Sequence, residues 1–357
     1  QLSKQFLTSL HSLSSPSSCI LTYVQGTFVS QKINKVRWIP EEYVETKCFF
    51  TGSWDDDVNS VKVWTLESQE DEEVEYPKCL SEFPVEGDVT EIKFTSKNRI
   101  AVSTSDGDVK LLEISMYERS QPLKEVFKWE NCCCTAVATM DSDIASVGED
   151  GNINFLNGHR GDIVRTVNGA DSCSLHSVCY IKYHEIITGN LRGHMKIWDS
   201  RSSENKPTAS FLLAGDDLAA TCIVSHPTQP HIILAGSESG SLAIWDLRMN
   251  SFPTSLLNAH AASVTEMQFH PVNPSKLISC SVSGEIWEWN MEAMIKTTKG
   301  EDSQVATWMP LEDKNTMVVN SLMPTLHKAI NTVHCDRGKI LCGADNEAVY
   351  LINNFKY

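Results

Sequence analysis

What most constrains this chain is a passage written twice between His184 and Arg248. The first copy runs from Glu185-Ile186-Ile187-Thr188-Gly189-Asn190 to Trp198-Asp199, and the second from Ile232-Ile233-Leu234-Ala235-Gly236-Ser237 to Trp245-Asp246. Each reads as a short apolar strand, a tight turn holding a glycine, and a second strand that closes on Trp-Asp. The two Trp-Asp pairs are 47 residues apart. That lies close to the ~40–45-residue period of WD-type propeller blades, each a four-stranded sheet.

Other copies fall on the same grid. Ser225-His226-Pro227 and Phe269-His270-Pro271 are 44 residues apart, and so are Trp245 and Trp289. Towards the N-terminus, Ser142–Leu156 and Arg99–Leu112 have the same shape with leucine in the tryptophan slot. Cys48–Trp64 is an earlier copy with Trp54-Asp55 in its turn, and Ile340–Ile352 is a degenerate last one. The slot residues are Trp64, Leu112, Leu156, Trp198, Trp245, Trp289 and Ile352, at spacings of 48, 44, 42, 47, 44 and 63. Seven repeats predict an all-β, seven-bladed WD-repeat β-propeller. The slot side chain is expected between neighbouring blades, and the turn glycine supplies backbone angles that a Cβ hinders. The long last interval marks a loop insertion near 291–316.

Closing such a ring requires one more outer strand. After the third strand of the last copy only Asn353–Tyr357 remain, so the closing strand is expected from the other end of the chain, within Thr22–Ser30. Before it, residues 1–26 are rich in Ser and Leu and contain no acidic residue. They read as a disordered or non-native lead. A transit peptide would also be Ser-rich and acid-poor, but it would carry arginines, and this segment has only Lys4 as a basic side chain. Residues 27–357 form the single propeller domain.

Composition narrows the function classes. A net charge of −16 repels nucleic-acid phosphates on average, and no Lys/Arg cluster offsets it, so direct nucleic-acid binding is not expected. No run of ~18 apolar residues is present, so membrane insertion is not expected either. The 12 cysteines contain no Cys-x-x-Cys pair and lie mostly in strand-like runs, the pattern of reduced, buried thiols. Cys132-Cys133-Cys134 resembles a metal site only in composition. Consecutive strand residues point to opposite faces and do not converge on one ion, so the run reads as part of a buried strand. His226 and His270 precede prolines in turns, and His260 precedes an inner strand, where it is expected to bond within its blade. No nucleophile elbow or phosphate-cradling loop occurs; Gly236-Ser237-Glu238-Ser239-Gly240 is a blade turn. The chain therefore reads as a non-enzyme without catalytic, cofactor-binding or metal-ligating residues.

What remains is a platform for protein partners. Trp198, Asp199, Trp245, Asp246, Trp64 and Trp289 are assigned to blade structure. Trp54 lies in a blade turn as a candidate aromatic anchor. Arg192 and Ser239 stand where Asp106 and Asp150 keep the usual turn aspartate, which makes them candidate partner contacts. The acidic run Glu67–Glu75 reads as a solvated loop on the lower rim.

Certain stretches carry a more specific likeness. Phe28–Trp38, Thr51-Gly52-Ser53-Trp54-Asp55, Val147–Asn154, Asn168–Ser172, Lys196–Asp199 and Cys342–Tyr350 resemble the nucleoporin 43 family, WD-repeat subunits of the Y-shaped scaffold complex of the nuclear pore. The resemblance runs from about Phe28 to Tyr350. It implies a non-enzymatic scaffold subunit at the nuclear envelope, without cofactor, that binds helical Y-complex subunits near the short arm such as nucleoporin 85. It further implies roles in pore assembly, in transport of mRNA and protein, and at the kinetochore in mitosis and cell division. An alternative comes from Trp198-Asp199-Ser200-Arg201 and Trp245-Asp246-Leu247-Arg248. Such Trp-Asp-x-Arg endings also occur in substrate adaptors of cullin-type ubiquitin ligases and in chromatin-peptide readers.

Overall fold

Each repeat builds its sheet from strands of graded burial. The second strand of a blade, such as Glu185–Asn190, is buried at every position after its first residue. It is covered on both faces, so it reads as a continuous run of apolar and small residues rather than an alternation. The fourth strand, such as Ser255–Asn258, alternates half-buried and exposed residues because one of its faces meets solvent.

In the computed structural model these strands form seven blades around an axis. The structure describes residues 7–8, 23–41, 46–68, 75–115, 122–130, 132, 134–213, 218–248, 253–291, 295–297, 306–308 and 318–353. The first, innermost strands of blades 1 to 7 are Ile33–Trp38, Val89–Ser96, Cys134–Met140, Leu175–Lys182, Ala220–His226, Val264–Phe269 and Ile330–Asp336. Within each blade every neighbouring pair of strands runs antiparallel.

Blade 7 is completed from the other end of the chain. Tyr23–Phe28 pairs antiparallel with Ala348–Asn353, in register from Tyr23 opposite Asn353 to Phe28 opposite Ala348. This strand takes in residues on both sides of the 26/27 boundary, and Leu7–Thr8 adds a short further strand against Val24 and Gln25. The insertion near 291–316 lies between the third and outer strands of blade 6. It contains the hairpin Ile295–Thr297 with Ala306–Trp308, and the outer strand follows at Val318–Ser321.

The slot residues lie at the interfaces between blades. Trp64 packs with Leu341, Val349 and Leu351 of blade 7, Trp198 with Phe155 of blade 3, and Trp289 with Leu234 and Ile244 of blade 5. Leu112, Leu156 and Ile352 meet blades 1, 2 and 6 in the same way. Every slot side chain thus covers the blade before its own, and the hydrophobic core is a ring of seven interfaces.

Candidate functional site

The slot residue also has a polar partner, two positions beyond the residue opposite it on the second strand. The Trp64 indole donates to Thr51 Oγ1 at 2.9 Å, Trp198 to Thr188 at 3.1 Å, and Trp289 to Ser279 at 2.9 Å. Where the slot is Leu112 or Ile352, the matching position is Val102 or Cys342, which leaves no indole to satisfy. Two blades break the rule in opposite senses. In blade 5 the position is Ala235, and the buried Trp245 indole has no partner among the described residues. In blade 3 the position is Ser146, whose buried hydroxyl faces Leu156 and is likewise unpaired. His260 extends the pattern in blade 6: its Nε2 lies 2.8 Å from Ser279 Oγ and its Nδ1 3.3 Å from Glu285. It bonds within the blade.

A second device was not read from the sequence. The innermost strand of every blade has a bulge just after its first residue. A bulge turns one residue out of the ladder and redirects its side chain. Here that side chain crosses to the next blade and donates to the carbonyl of the residue preceding the next bulge. Asn34 reaches Val89 O at 2.7 Å, Thr90 reaches Cys134 O at 3.1 Å, and Thr135 reaches Leu175 O at 2.5 Å. Ser177 reaches Ala220 O at 2.7 Å, while Thr221 and Thr265 reach Val264 O and Ile330 O at 2.6 Å each. Asn331 closes the circle on Ile33 O at 3.0 Å. Only blade 4 departs, since the residue turned out there is His176 and its neighbour Ser177 makes the bond. In the sequence the trace is a buried apolar residue followed by Thr, Asn or His at the start of each first strand.

Inside this hoop lies a charged cluster that joins blades 1, 2, 6 and 7. Arg37 Nη2 is 2.5 Å from Glu91 Oε1 and 2.6 Å from Glu266 Oε1, and Arg37 Nε donates to Ile92 O at 2.9 Å. Glu266 also accepts from the Thr332 hydroxyl at 2.6 Å and from Val333 N at 3.0 Å. Burial opposes ionisation of Glu266, but Arg37, Lys35 and Lys93 outweigh it and hold its carboxyl well below the usual range. Beside the cluster, Trp38 N donates to His334 Nδ1 at 3.0 Å, and burial lowers the His334 pKa to about 3. The neutral ring is the form that can accept that bond.

The upper rim, made by the turns between second and third strands, holds the three candidate partner contacts. Trp54 is half-buried rather than free. Its indole donates to Asp345 Oδ1 of blade 7 at 3.1 Å, and the Lys32 ammonium, paired with Asp55, lies 5.8 Å from its ring centroid. Asp345 also accepts from Asn331, so Trp54 is tied into the closing seam. Phe28 (62 % exposed) and Val58 (63 % exposed) are apolar side chains open to solvent, and Val58 follows exposed Asp55, Asp56 and Asp57 in the chain. Arg192 and Ser239 are exposed on blades 4 and 5, across the ring from Trp54, so the three do not form one patch. Their turns keep their hydrogen bonds despite lacking aspartate. Asn190 Oδ1 accepts from Arg192 N and His194 N, and Ser237 Oγ lies 2.9 Å from Ser239 Oγ.

The remaining sequence candidates make contacts within the propeller. Asp199 pairs with Arg201 at 2.7 Å and Asp246 with Arg248 at 2.6 Å, each two residues on, so the Trp-Asp-x-Arg endings form local clasps. His270 Nδ1 accepts from Asn273 N at 3.0 Å, and its Nε2 lies 2.8 Å from Arg337 O. Of the three consecutive cysteines, Cys134 begins an inner strand and Cys132 is buried before it, whereas Cys133 lies outside the described residues. Among the described members of the run, Cys134 is in the strand and Cys132 precedes it. The acidic run is partly structured. Glu67 and Ser68 end one strand and Glu75 begins the next, and Glu75 accepts from Lys339 of blade 7 at 2.9 Å; residues 69–74 lie outside the described residues.

A closed ring of seven antiparallel sheets, two of them with Trp-Asp endings, defines a WD-repeat β-propeller. No protein-family model matches the chain. Comparison with curated proteins is more specific. The chain is 31 % identical to Nucleoporin Nup43 of Homo sapiens over 92 % of its own length and 98 % of that protein's, with the same figures for Mus musculus. It is 22 % identical to Nuclear pore complex protein NUP43 of Arabidopsis thaliana over 75 % of this chain and 78 % of that one. The chain belongs to the Nup43 family of nucleoporins.

Proposed function

We propose that this protein is a non-enzymatic scaffold subunit of the nuclear pore complex. The carrying observation is the match to Nup43 along nearly the whole of both chains, which takes in every blade. The propeller provides a rigid ring whose polar groups are largely committed to holding the blades together, with its exposed apolar side chains at turns and outer strands. Such a surface suits protein docking. Within this reading the partners are other subunits of the Y complex, helical ones near the short arm such as nucleoporin 85. The protein resides at the nuclear envelope and, in mitosis, at the kinetochore. Its roles are pore assembly and support of mRNA and protein transport. The domain responsible is the propeller, including its closing strand Tyr23–Phe28, with Trp54, Arg192 and Ser239 as rim positions for contact.

Affinity purification of the tagged full chain from interphase and mitotic cells tests this. The expected result is co-purification of Y-complex subunits in stoichiometric amounts, with the tag at the nuclear rim. Recovery of a cullin adaptor without any pore subunit would overturn it.

A further inference from the structure

We propose that the cavity on the propeller axis is a binding site for a small oxyanion of the phosphate class. The cavity has a volume of about 270 Å³ and is walled by the innermost strands of blades 1 to 6. That is far more than the ~10–15 Å³ a single water needs. Its walls are polar, and they hold an imbalance of charge. Lys35, Lys93, Glu91 and Glu266 line the cavity, and Arg37, which pairs with both carboxylates, brings the cluster to three cations against two carboxylates.

The imbalance falls on the two lysines. Glu266 is taken up by Arg37, Thr332 and Val333 N, and Glu91 Oε1 by Arg37 and Ile92 N. That leaves Glu91 Oε2 for both ammonium groups, at 3.8 Å from Lys35 and 3.6 Å from Lys93. Both distances exceed hydrogen-bond reach. Neither ammonium has a hydrogen-bond acceptor among the described residues. The Lys35 side chain is 12 % exposed and that of Lys93 35 %, and both line the void. A buried cation without hydrogen-bonded compensation is costly.

The geometry also limits the ligand. Two ammonium groups converge near one carboxylate oxygen and open onto one void, so the ligand must be an anion with at least two acceptor oxygens. The hydroxyls of Thr90, Thr135, Thr221 and Thr265 already donate to the next blade's carbonyls, so the lysines carry the recognition. The protein as a whole has a net charge of −16, which makes non-specific anion uptake elsewhere on its surface unfavourable.

Isothermal titration of the full chain with inorganic phosphate, at constant ionic strength set by sodium chloride, tests the site. The expected result is a single-site isotherm that weakens by about tenfold or more in Lys35→Met and in Lys93→Met and survives in Lys93→Arg. A parallel titration with glycerol phosphate separates a free anion from a phosphoryl group carried on a larger molecule; binding of either supports the site. No saturable heat from the wild-type protein with either ligand overturns it, as does an isotherm unchanged in both methionine variants. Should the variants fail to fold, acetylation of the wild-type lysines decides. Phosphate must then slow labelling of Lys35 and Lys93 relative to exposed Lys206, and equal rates refute the proposal.

Discussion

At the scale of the residue, the slot and its partner behave as a pair, and the pair is matched in five of seven blades. Trp goes with Thr51, Thr188 or Ser279, and an aliphatic slot goes with Val102 or Cys342. In blades 3 and 5 the two halves are mismatched, which leaves the buried Ser146 hydroxyl and Trp245 indole without a partner among the described residues. An unmade buried hydrogen bond costs about 1–3 kcal/mol, and a made one contributes about 1 kcal/mol. Ala235→Ser places a hydroxyl where blade 6 has Ser279, two positions beyond the residue opposite the slot tryptophan. It is expected to raise the free energy of unfolding by about 1 kcal/mol in urea denaturation. The gain should vanish in a Trp245→Phe background, which removes the donor. An equal gain in that background would mean the serine acts by some other route. The slot residues themselves were legible in the sequence because they recur at a fixed period. Their hydroxyl partners were not singled out, since the pairing shows only once the strand register is known.

At the scale of the element, the bulge near the start of each inner strand turns seven separate sheets into one hoop. A sheet paired only within itself presents no polar group to its neighbour, and blades stacked by apolar contact alone can slide. The bulged side chain fixes their register. Thr221 is the clearest case, since its hydroxyl lies 2.6 Å from Val264 O and 3.2 Å from Gly236 O. Thr221→Val keeps the shape and removes the hydroxyl. The expected cost is about 1–3 kcal/mol, because the two carbonyls are left without this donor. Thr221→Ser should recover most of it. Hydrogen exchange would place the damage, with faster exchange along Ala220–His226 and Val264–Phe269 than in the remaining blades. Strand count and order were readable from the alternation of apolar runs and turns. The bulges were not, because one residue out of register in a strand looks like ordinary variation until seven strands show it at the same place.

At the scale of the whole molecule, closure brings together what the sequence keeps far apart. The Arg37–Glu266 pair spans 229 residues, and Trp38 N meets His334 across 296. Both cross the closing seam, and no local pattern foretells either. The stretch Phe28–Trp38 carries part of the family likeness, and it also carries the blade 1 side of this seam. The closing strand was legible in Thr22–Ser30, where Tyr23, Val24, Phe28 and Val29 supply its apolar residues. A chain beginning at Val29 lacks that strand and leaves Ala348–Asn353 as an open edge. Its unfolding midpoint should fall clearly below that of the full chain. The loss should be largest in protection of the Lys339–Ala344 and Ala348–Asn353 amides and should be restored by adding a peptide of residues 23–28. An unchanged midpoint would show that the six other interfaces suffice.

The same closing strand has a consequence for the order in which the molecule comes into being. Phe28 pairs with Ala348, and 320 residues of chain separate them. At ~5–20 residues per second a ribosome takes roughly 16–64 s to travel that distance. For most of that interval the closing strand has left the ribosome while its partner has not been made. Blades 1 to 6 can assemble in sequence as they emerge, but the ring stays open until the final strand arrives. A second copy released from the same message offers an identical acceptor strand, so exchange of Tyr23–Phe28 between two copies is expected to compete with closure of each. The speed of translation through the last blade, and the crowding of ribosomes on the message, therefore bear directly on the yield of single rings.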